Sequence, residues 1–237
     1  SDSVWAISRS VPNPWARSLR TNKTMTIGVM LPRLTDRVLA SMFEAAADWA
    51  RRFGYQTMAV STKDDADEQK SLANLLLDRR VDGLVLATCR LDDPVPAQIL
   101  ARRTPLVLMN RCTGDYPVVR SDDELGGYLA TRHLLALGHR RIGLVAGQLD
   151  VSTAALRLDG YRRAHKEQGV PVDERLIAAS SFLADGGVAA GTKLLTMADR
   201  PTALVTVNDA AAVGAMSVAR DLGLSIPRDL SIVGHND

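Results

Sequence analysis

Cysteine is nearly missing from this chain. Cys89 and Cys112 are too few among 237 residues for a disulfide framework, and neither has the clustered Cys/His spacing of a zinc site. Both are expected as buried filler in a reducing compartment. Long apolar runs are missing too: none approaches the roughly 18 residues of a membrane span, and Ser1 to Arg20 is polar, without the apolar region of an export signal. The expectation is a cytoplasmic protein with no membrane partner. An excess of one charge is also lacking, since 29 Lys and Arg face 27 Asp and Glu, a net charge of +2. The charge becomes informative only when divided. Residues 1–24 hold Arg9, Arg17, Arg20 and Lys23 against Asp2 alone, whereas the rest holds 25 basic and 26 acidic residues. A basic arm on a nearly neutral body puts any polyanion partner at the amino end.

Catalytic signatures are likewise absent. No G-x-G-x-x-G follows a strand, and there is no G-x-S-x-G nucleophile elbow. Gly186 to Lys193 is spaced like a phosphate loop but ends Thr-Lys, which displaces the lysine, and it reads as helix interior. Asp64, Asp65, Asp67 and Glu68 crowd a helix start, where carboxylates favour the positive end of the dipole. His133, His139, His165 and His235 lack ligand spacing, and His139 reads as a turn residue. Neither enzyme chemistry nor a metal or other cofactor is expected.

What the chain does have is 46% apolar residues in a repeating order of short apolar run, polar turn and helical segment. The runs are Thr26–Leu31, Gln56–Val60, Gly83–Ala87, Leu106–Met109 and a weaker Val118–Arg120, then Ile142–Ala146, Leu176–Ala179, Ala203–Val207 and Leu230–Val233. They are continuous rather than alternating, which is the pattern of parallel strands covered on both faces. Val38, Met42, Ala45, Trp49 and Phe53 form one helical stripe, and Leu72, Leu75, Leu76 and Arg79 another. Further helices are expected at Pro94–Arg103, Asp123–Leu137, Ser152–Gln168, Asp185–Met197 and Asn208–Leu222, with Gly54, Gly138, Gly169 and Gly223 as left-handed stops.

Strand starts are spaced by 30, 27 and 23 residues in the first series and by 34, 27 and 27 in the second. The fold class is therefore α/β: two tandem Rossmann-like lobes with parallel sheets, after a short amino-terminal helix. The expected division is 1–24 for the arm and its helix, 25–138 for the first lobe and 139–237 for the second. Ligands of such sheets bind beyond the carboxyl ends of strands, so function is sought in a cleft lined by those loops.

Val11-Pro12-Asn13-Pro14-Trp15-Ala16-Arg17-Ser18-Leu19-Arg20-Thr21 reads as a short helix with Asn13 as N-cap and Pro14 at its first position. Followed by Thr26-Ile27-Gly28-Val29, it resembles the hinge of the lactose-repressor (LacI/GalR) family of bacterial transcription regulators. The resemblance continues in family order through Arg79 to Leu84, Leu129 to Leu134, Leu137 to Ile142, Arg157 to Tyr161, Asn208-Asp209 and Ser231 to Gly234.

The resemblance implies a periplasmic-binding-protein-like type I core that catalyses nothing. It implies a homodimeric repressor that binds operator DNA under control of a small effector, a sugar, sugar phosphate or nucleoside, held between the lobes. On the hinge, Leu19 would wedge between base steps while Arg17 and Arg20 reach phosphates. For the effector it implies Arg157, whose donors suit polar ligand groups, with Asn208 and Asn236 and with Phe182 as a stacking face. Asp36, Thr35 and Thr88 join them at strand ends. Arg33 and Arg37 depart from the family pattern and tilt the expectation toward an anionic effector. Ser1 to Ser10 resembles only the last helix of the family's DNA-binding head, and the family continues beyond the position of Asp237, so the carboxyl end is expected to be incomplete. A periplasmic-type sugar-binding protein without DNA function is the alternative; it would need an export signal and no hinge.

Overall fold

The computed structural model describes residues 23–236. The expected hinge residues Asn13, Arg17, Leu19 and Arg20 lie outside the described residues. The chain forms two compact units, one of residues up to Thr88 with Asp93–Met109, the other of Cys89–Asp92 with residues from Asn110 on.

The first unit runs β1 (Thr26–Leu31), α1 (Arg37–Arg52), β2 (Gln56–Ser61), α2 (Ala66–Asp78), β3 (Gly83–Leu86), α3 (Val95–Ala101) and β4 (Leu106–Met109). Its strands pair in parallel in the order β2-β1-β3-β4, with Val29 of β1 in register with Ala59 of β2 and Val85 of β3. Met30, Leu31, Leu84, Leu86 and Leu108 are buried, as the continuous apolar runs require. The stripe expected on α1 is rotated from the observed one. Trp49 and Phe53 are 60% and 62% exposed, and the face toward the sheet is Leu39, Met42, Phe43 and Ala50. On α2, Leu76 is buried while Leu75 is exposed.

The second unit holds β5 (Val118–Val119), α4 (Asp123–Ala136), β6 (Ile142–Gly147), α5 (Ser152–Glu167), a 3-10 turn at Glu174–Leu176, β7 (Ile177–Ala179), α6 (Ala184–Leu195), β8 (Ala203–Thr206), α7 (Asp209–Asp221) and β9 (Ser231–Val233). Its parallel sheet is ordered β7-β6-β8-β9. β6 is buried along all six residues between two apolar layers. One, with Leu194, Ala211 and Ala215, belongs to α6 and α7; the other, with Tyr128, Leu134 and Tyr161, belongs to α4 and α5.

The division expected near Gly138 falls instead at Met109/Asn110. The reason is α4, which packs on α5 through glycines. A Cβ on Gly127 would strike the Arg157 backbone carbonyl, and one on Gly160 the Glu124 carbonyl. Gly187 of α6 and Gly214 of α7 make the equivalent approach, so the segment resembling a phosphate loop is a helix–helix contact. The acidic crowd at residues 64–68 starts α2, with Asp65 accepting from the Glu68 N–H at 2.7 Å.

Candidate functional site

The carboxyl edge of the second sheet gathers a connected polar group. Asp122 caps α4 by accepting from the Leu125 N–H at 2.9 Å, which places Asp123 in the first turn with only 1% of its surface exposed. The close passage at Gly127 brings the Arg157 backbone alongside, and the Arg157 side chain turns along the strand ends. Its Nε and Nη2 donate to Asp123 Oδ1 at 2.9 and 2.8 Å, and its Nη1 donates to the Val207 carbonyl just past β8. Nη2 also reaches Asn236 Oδ1 at 3.4 Å. Arg157 is 7% exposed, so this is a buried ion pair, whose charges lose hydration and depend on each other's geometry. Asp123 Oδ2 is buried and accepts no hydrogen bond.

Asn208 follows β8 and caps α7. Its Oδ1 accepts from the Ala211 N–H at 2.9 Å and its Nδ2 donates to the Phe182 carbonyl at 2.8 Å. The cap thus also fixes the loop after β7. The Phe182 ring carries the buried Arg111 guanidinium 5.4 Å from its centroid, a cation–π arrangement. His235, past β9, donates its backbone N–H to Asp209 Oδ1 at 2.9 Å, and its imidazole lies against Gly126. Burial, and then the Arg157 charge, push that imidazole down to about 4, against the opposing pull of Asp123. A cavity of about 10 Å³, lined by Arg157, Thr206, His235, Gly127 and Ala146, lies among these groups and is the size of a single water site.

At the carboxyl edge of the first sheet the arrangement differs. Asp36 caps α1, accepting from Val38 and Leu39 N–H at 3.0 and 3.2 Å, and Thr35 is exposed beside it. Thr88, past β3, is buried with no partner for its hydroxyl, and so is Thr62, past β2. By continuation of the strand registers both lie opposite Pro32, one on each side of β1.

Of the expected effector residues, Arg157, Asn208, Phe182 and Asn236 come together in the second unit, and Asp36, Thr35 and Thr88 are at strand ends of the first. Asp123, Arg111 and Thr62 escaped the sequence reading. An acid in a first helical turn reads as a dipole partner, and nothing local marks a threonine whose hydroxyl ends unpartnered. Among the described residues no three His, Cys, Asp or Glu side chains are grouped to hold a metal, and no helix is long and apolar enough to cross a membrane. His139 bridges Thr202 Oγ1 and Ser231 Oγ at 2.8 and 3.2 Å, in keeping with its reading as a turn residue.

Two parallel-sheet units with polar side chains gathered at the carboxyl ends of strands define a ligand-binding core of the periplasmic-binding-protein type. Residues 24–236 match the family model for periplasmic binding proteins and the sugar binding domain of the LacI family. The chain belongs to the LacI/GalR family, of which it is the effector-binding core. The transcriptional repressor PurR of Aliivibrio salmonicida is 35% identical over 231 residues, covering 95% of this chain and 69% of that protein. Among solved structures, the transcription regulator CcpA of Lactococcus lactis superposes with a TM-score of 0.82 at 28% identity, covering 89% of this chain and 78% of that one. The transcriptional regulator CelR in complex with cellobiose gives 0.82 at 28% identity over 94% of this chain and 72% of that one.

Proposed function

We propose that the chain is the regulatory core of a cytoplasmic, homodimeric transcriptional repressor whose hold on operator DNA is set by a small uncharged polyol, a sugar or nucleoside. The observation that carries the effector class is the buried Asp123–Arg157 pair. Arg157 is a buried cation at the carboxyl edge of the second sheet, and its charge is already balanced by Asp123. An anionic effector would compete with a carboxylate in place, whereas a hydroxyl or ring N–H can donate to Asp123 Oδ2, which accepts nothing within the protein. This weighs against the sugar phosphate that Arg33 and Arg37 suggested.

In this reading Asn208 and Asn236 add polar contacts and Phe182 an apolar face at the carboxyl edge of the second sheet. Support for a polyol comes from CelR, whose structure holds cellobiose. Support for the homodimer comes from α7, which leaves Val213 61% exposed beside the exposed Met216. Asn13, Arg17, Leu19 and Arg20 are assigned to operator DNA by the hinge resemblance.

A thermal-shift screen of neutral sugars, nucleosides and sugar phosphates tests the effector class. A ligand at 100 times its dissociation constant adds about 2.7 kcal/mol of stability. Arg157→Ala should weaken the hit by roughly tenfold to a hundredfold in calorimetry. A best ligand that is anionic, with affinity falling steeply as salt rises, would overturn the neutral assignment. Retardation of operator DNA that the same metabolite changes would separate a repressor from a periplasmic-type binding protein.

A further inference from the structure

The opposite edge of the first sheet carries a feature that effector binding does not use. Each of the three helices there ends in a pair of arginines: Arg51-Arg52 closes α1, Arg79-Arg80 follows α2, and Arg102-Arg103 follows α3. Because β1 to β4 are parallel, every helix returns to the amino ends of the strands, so all three pairs are brought to one edge. At strand spacings of about 4.8 Å the row from β2 to β4 is about 14 Å long, the axial rise of roughly four phosphates of one DNA strand. All six arginines are exposed.

The chain enters this row in its middle. The Thr24 N–H donates to Asp82 Oδ1 at 2.8 Å and the Met25 N–H to Oδ2 at 3.0 Å, while the Thr24 hydroxyl donates to the Arg80 carbonyl at 2.9 Å. The basic arm of residues 1–23 is therefore joined to the edge that displays the arginines. Counting exposed Lys23, seven cations stand there with Asp48, Asp78 and Asp82. Asp82 is occupied by the chain entry, and the Arg51–Asp48 and Arg102–Asp78 pairs, both 2.8 Å, are solvent-exposed and so readily exchanged for another anion.

A cation at a helix carboxyl end complements the dipole, which accounts for one arginine per helix. It does not account for the second. Arg80 and Arg103 lie beyond their helices at φ 54° and 58°, the left-handed region where glycine or asparagine is favoured, as Gly54 serves after α1. An arginine kept at a strained stop twice over points to a use for its side chain.

We propose that this edge of the first unit is a second DNA-contacting surface, taking the sugar–phosphate backbone of duplex flanking the segment held by residues 1–23. The inference rests on the reading of the chain as a DNA-binding regulator. Its contacts are to phosphates, so it adds affinity and salt dependence without base preference.

The test is fluorescence anisotropy of a labelled 30-base-pair duplex of arbitrary sequence, titrated with the 237-residue chain between 50 and 200 mM salt. Two variants are compared with the unaltered chain: the arm variant Arg9→Gln, Arg17→Gln, Arg20→Gln, Lys23→Gln, and the edge variant Arg52→Gln, Arg79→Gln, Arg80→Asn, Arg103→Asn. If the edge meets phosphates, the slope of log affinity against log salt falls in the edge variant by about 0.9 for each arginine in contact. An edge variant with the slope and affinity of the unaltered chain overturns the proposal, and so does one that loses heparin binding but keeps duplex binding, which would indicate an acidic protein partner. No duplex binding by the unaltered chain at 50 mM salt would also overturn the proposal, whereas the DNA-binding reading is judged separately by operator retardation. Should the fourfold edge variant fail to fold, the pair Arg80→Asn, Arg103→Asn carries the same test, since asparagine suits the left-handed backbone.

Discussion

At the carboxyl ends of their sheets the two units treat polar side chains in opposite ways. In the second unit nearly everything is tied down: Arg157 is held by Asp123 and the Val207 carbonyl, and Asn208 by Ala211 and Phe182. In the first unit, Thr62 and Thr88 bury hydroxyls that meet no partner. Buried polar groups in folded proteins are normally hydrogen-bonded, so the first edge departs from the rule with two hydroxyls, whereas among the described residues of the second only Asp123 Oδ2 departs from it, within an otherwise bonded network.

The largest effect should come from breaking the fixed side. Asp123→Ala leaves the Arg157 guanidinium buried without its carboxylate, and loss of one member of a buried pair costs about 3–5 kcal/mol. Urea unfolding followed by circular dichroism should show that loss. Replacing both members, Asp123→Leu with Arg157→Met, should restore most of it, since apolar pairs of similar volume do as well as buried charges. A single variant that loses under about 1 kcal/mol would mean that Arg157 finds equal partners elsewhere.

Next in size is the helix contact that positions the pair. Gly127→Ala drives a methyl into the Arg157 carbonyl, a backbone atom that cannot turn aside. Overpacking of this kind costs about 1–3 kcal/mol. It should also weaken metabolite binding, because α5 carries Arg157 away from Asp123 as it moves. Unchanged stability with unchanged affinity would show that the helices part without consequence.

Strands were legible in the sequence because parallel strands buried on both faces leave continuous apolar runs, and helix ends because Gly54, Gly138, Gly169 and Gly223 all take positive φ. The face of α1 was misread for a physical reason. Trp49 and Phe53 keep helical spacing, but they meet edge to face at 5.5 Å on the exposed side, while smaller Ala50 is buried. The unit boundary was hidden because α4 belongs with α5 through glycine contacts that no local pattern announces. The candidate site was partly legible: Arg157, Asn208, Phe182 and Asn236, expected from the family resemblance, lie together at the carboxyl edge of the second sheet, but Asp123, 34 residues before Arg157, is paired with it only by tertiary folding.

A smaller effect follows from pH. His235 is pushed down to about 4 by burial and the Arg157 charge, and His165 is also lowered by burial, although its Nδ1 donates to the Tyr161 carbonyl at 3.0 Å. Folded, both resist protonation; unfolded, each takes a proton near 6.5. The unfolded chain therefore binds more protons below that value, so this stability is complete above pH of about 6.5 and is lost as pH falls toward 4. His235→Asn should flatten the part of the decline due to that ring in thermal melts between pH 7 and 4.5. A variant melting with the same pH slope as the unaltered protein would remove His235 from the account.

The smallest effect is expected at the carboxyl edge of the first sheet, and it is the sharpest check of the contrast. Thr88→Val exchanges a hydroxyl for a methyl of nearly the same shape. If the hydroxyl has no partner, nothing is lost with it and the desolvation penalty of a buried polar group is relieved, so stability should hold or rise by up to about 1 kcal/mol. Thr62→Val should behave alike, since its hydroxyl is in the same condition. The two should diverge in metabolite binding: a hydroxyl that serves the effector costs affinity when removed, and one that only holds water does not. Calorimetry with the ligand found by thermal shift reads the second quantity, and urea unfolding the first. A stability loss of about 1.5 kcal/mol or more on Thr88→Val would mean that the hydroxyl is already engaged in the free protein, and the two carboxyl edges would then be organised alike.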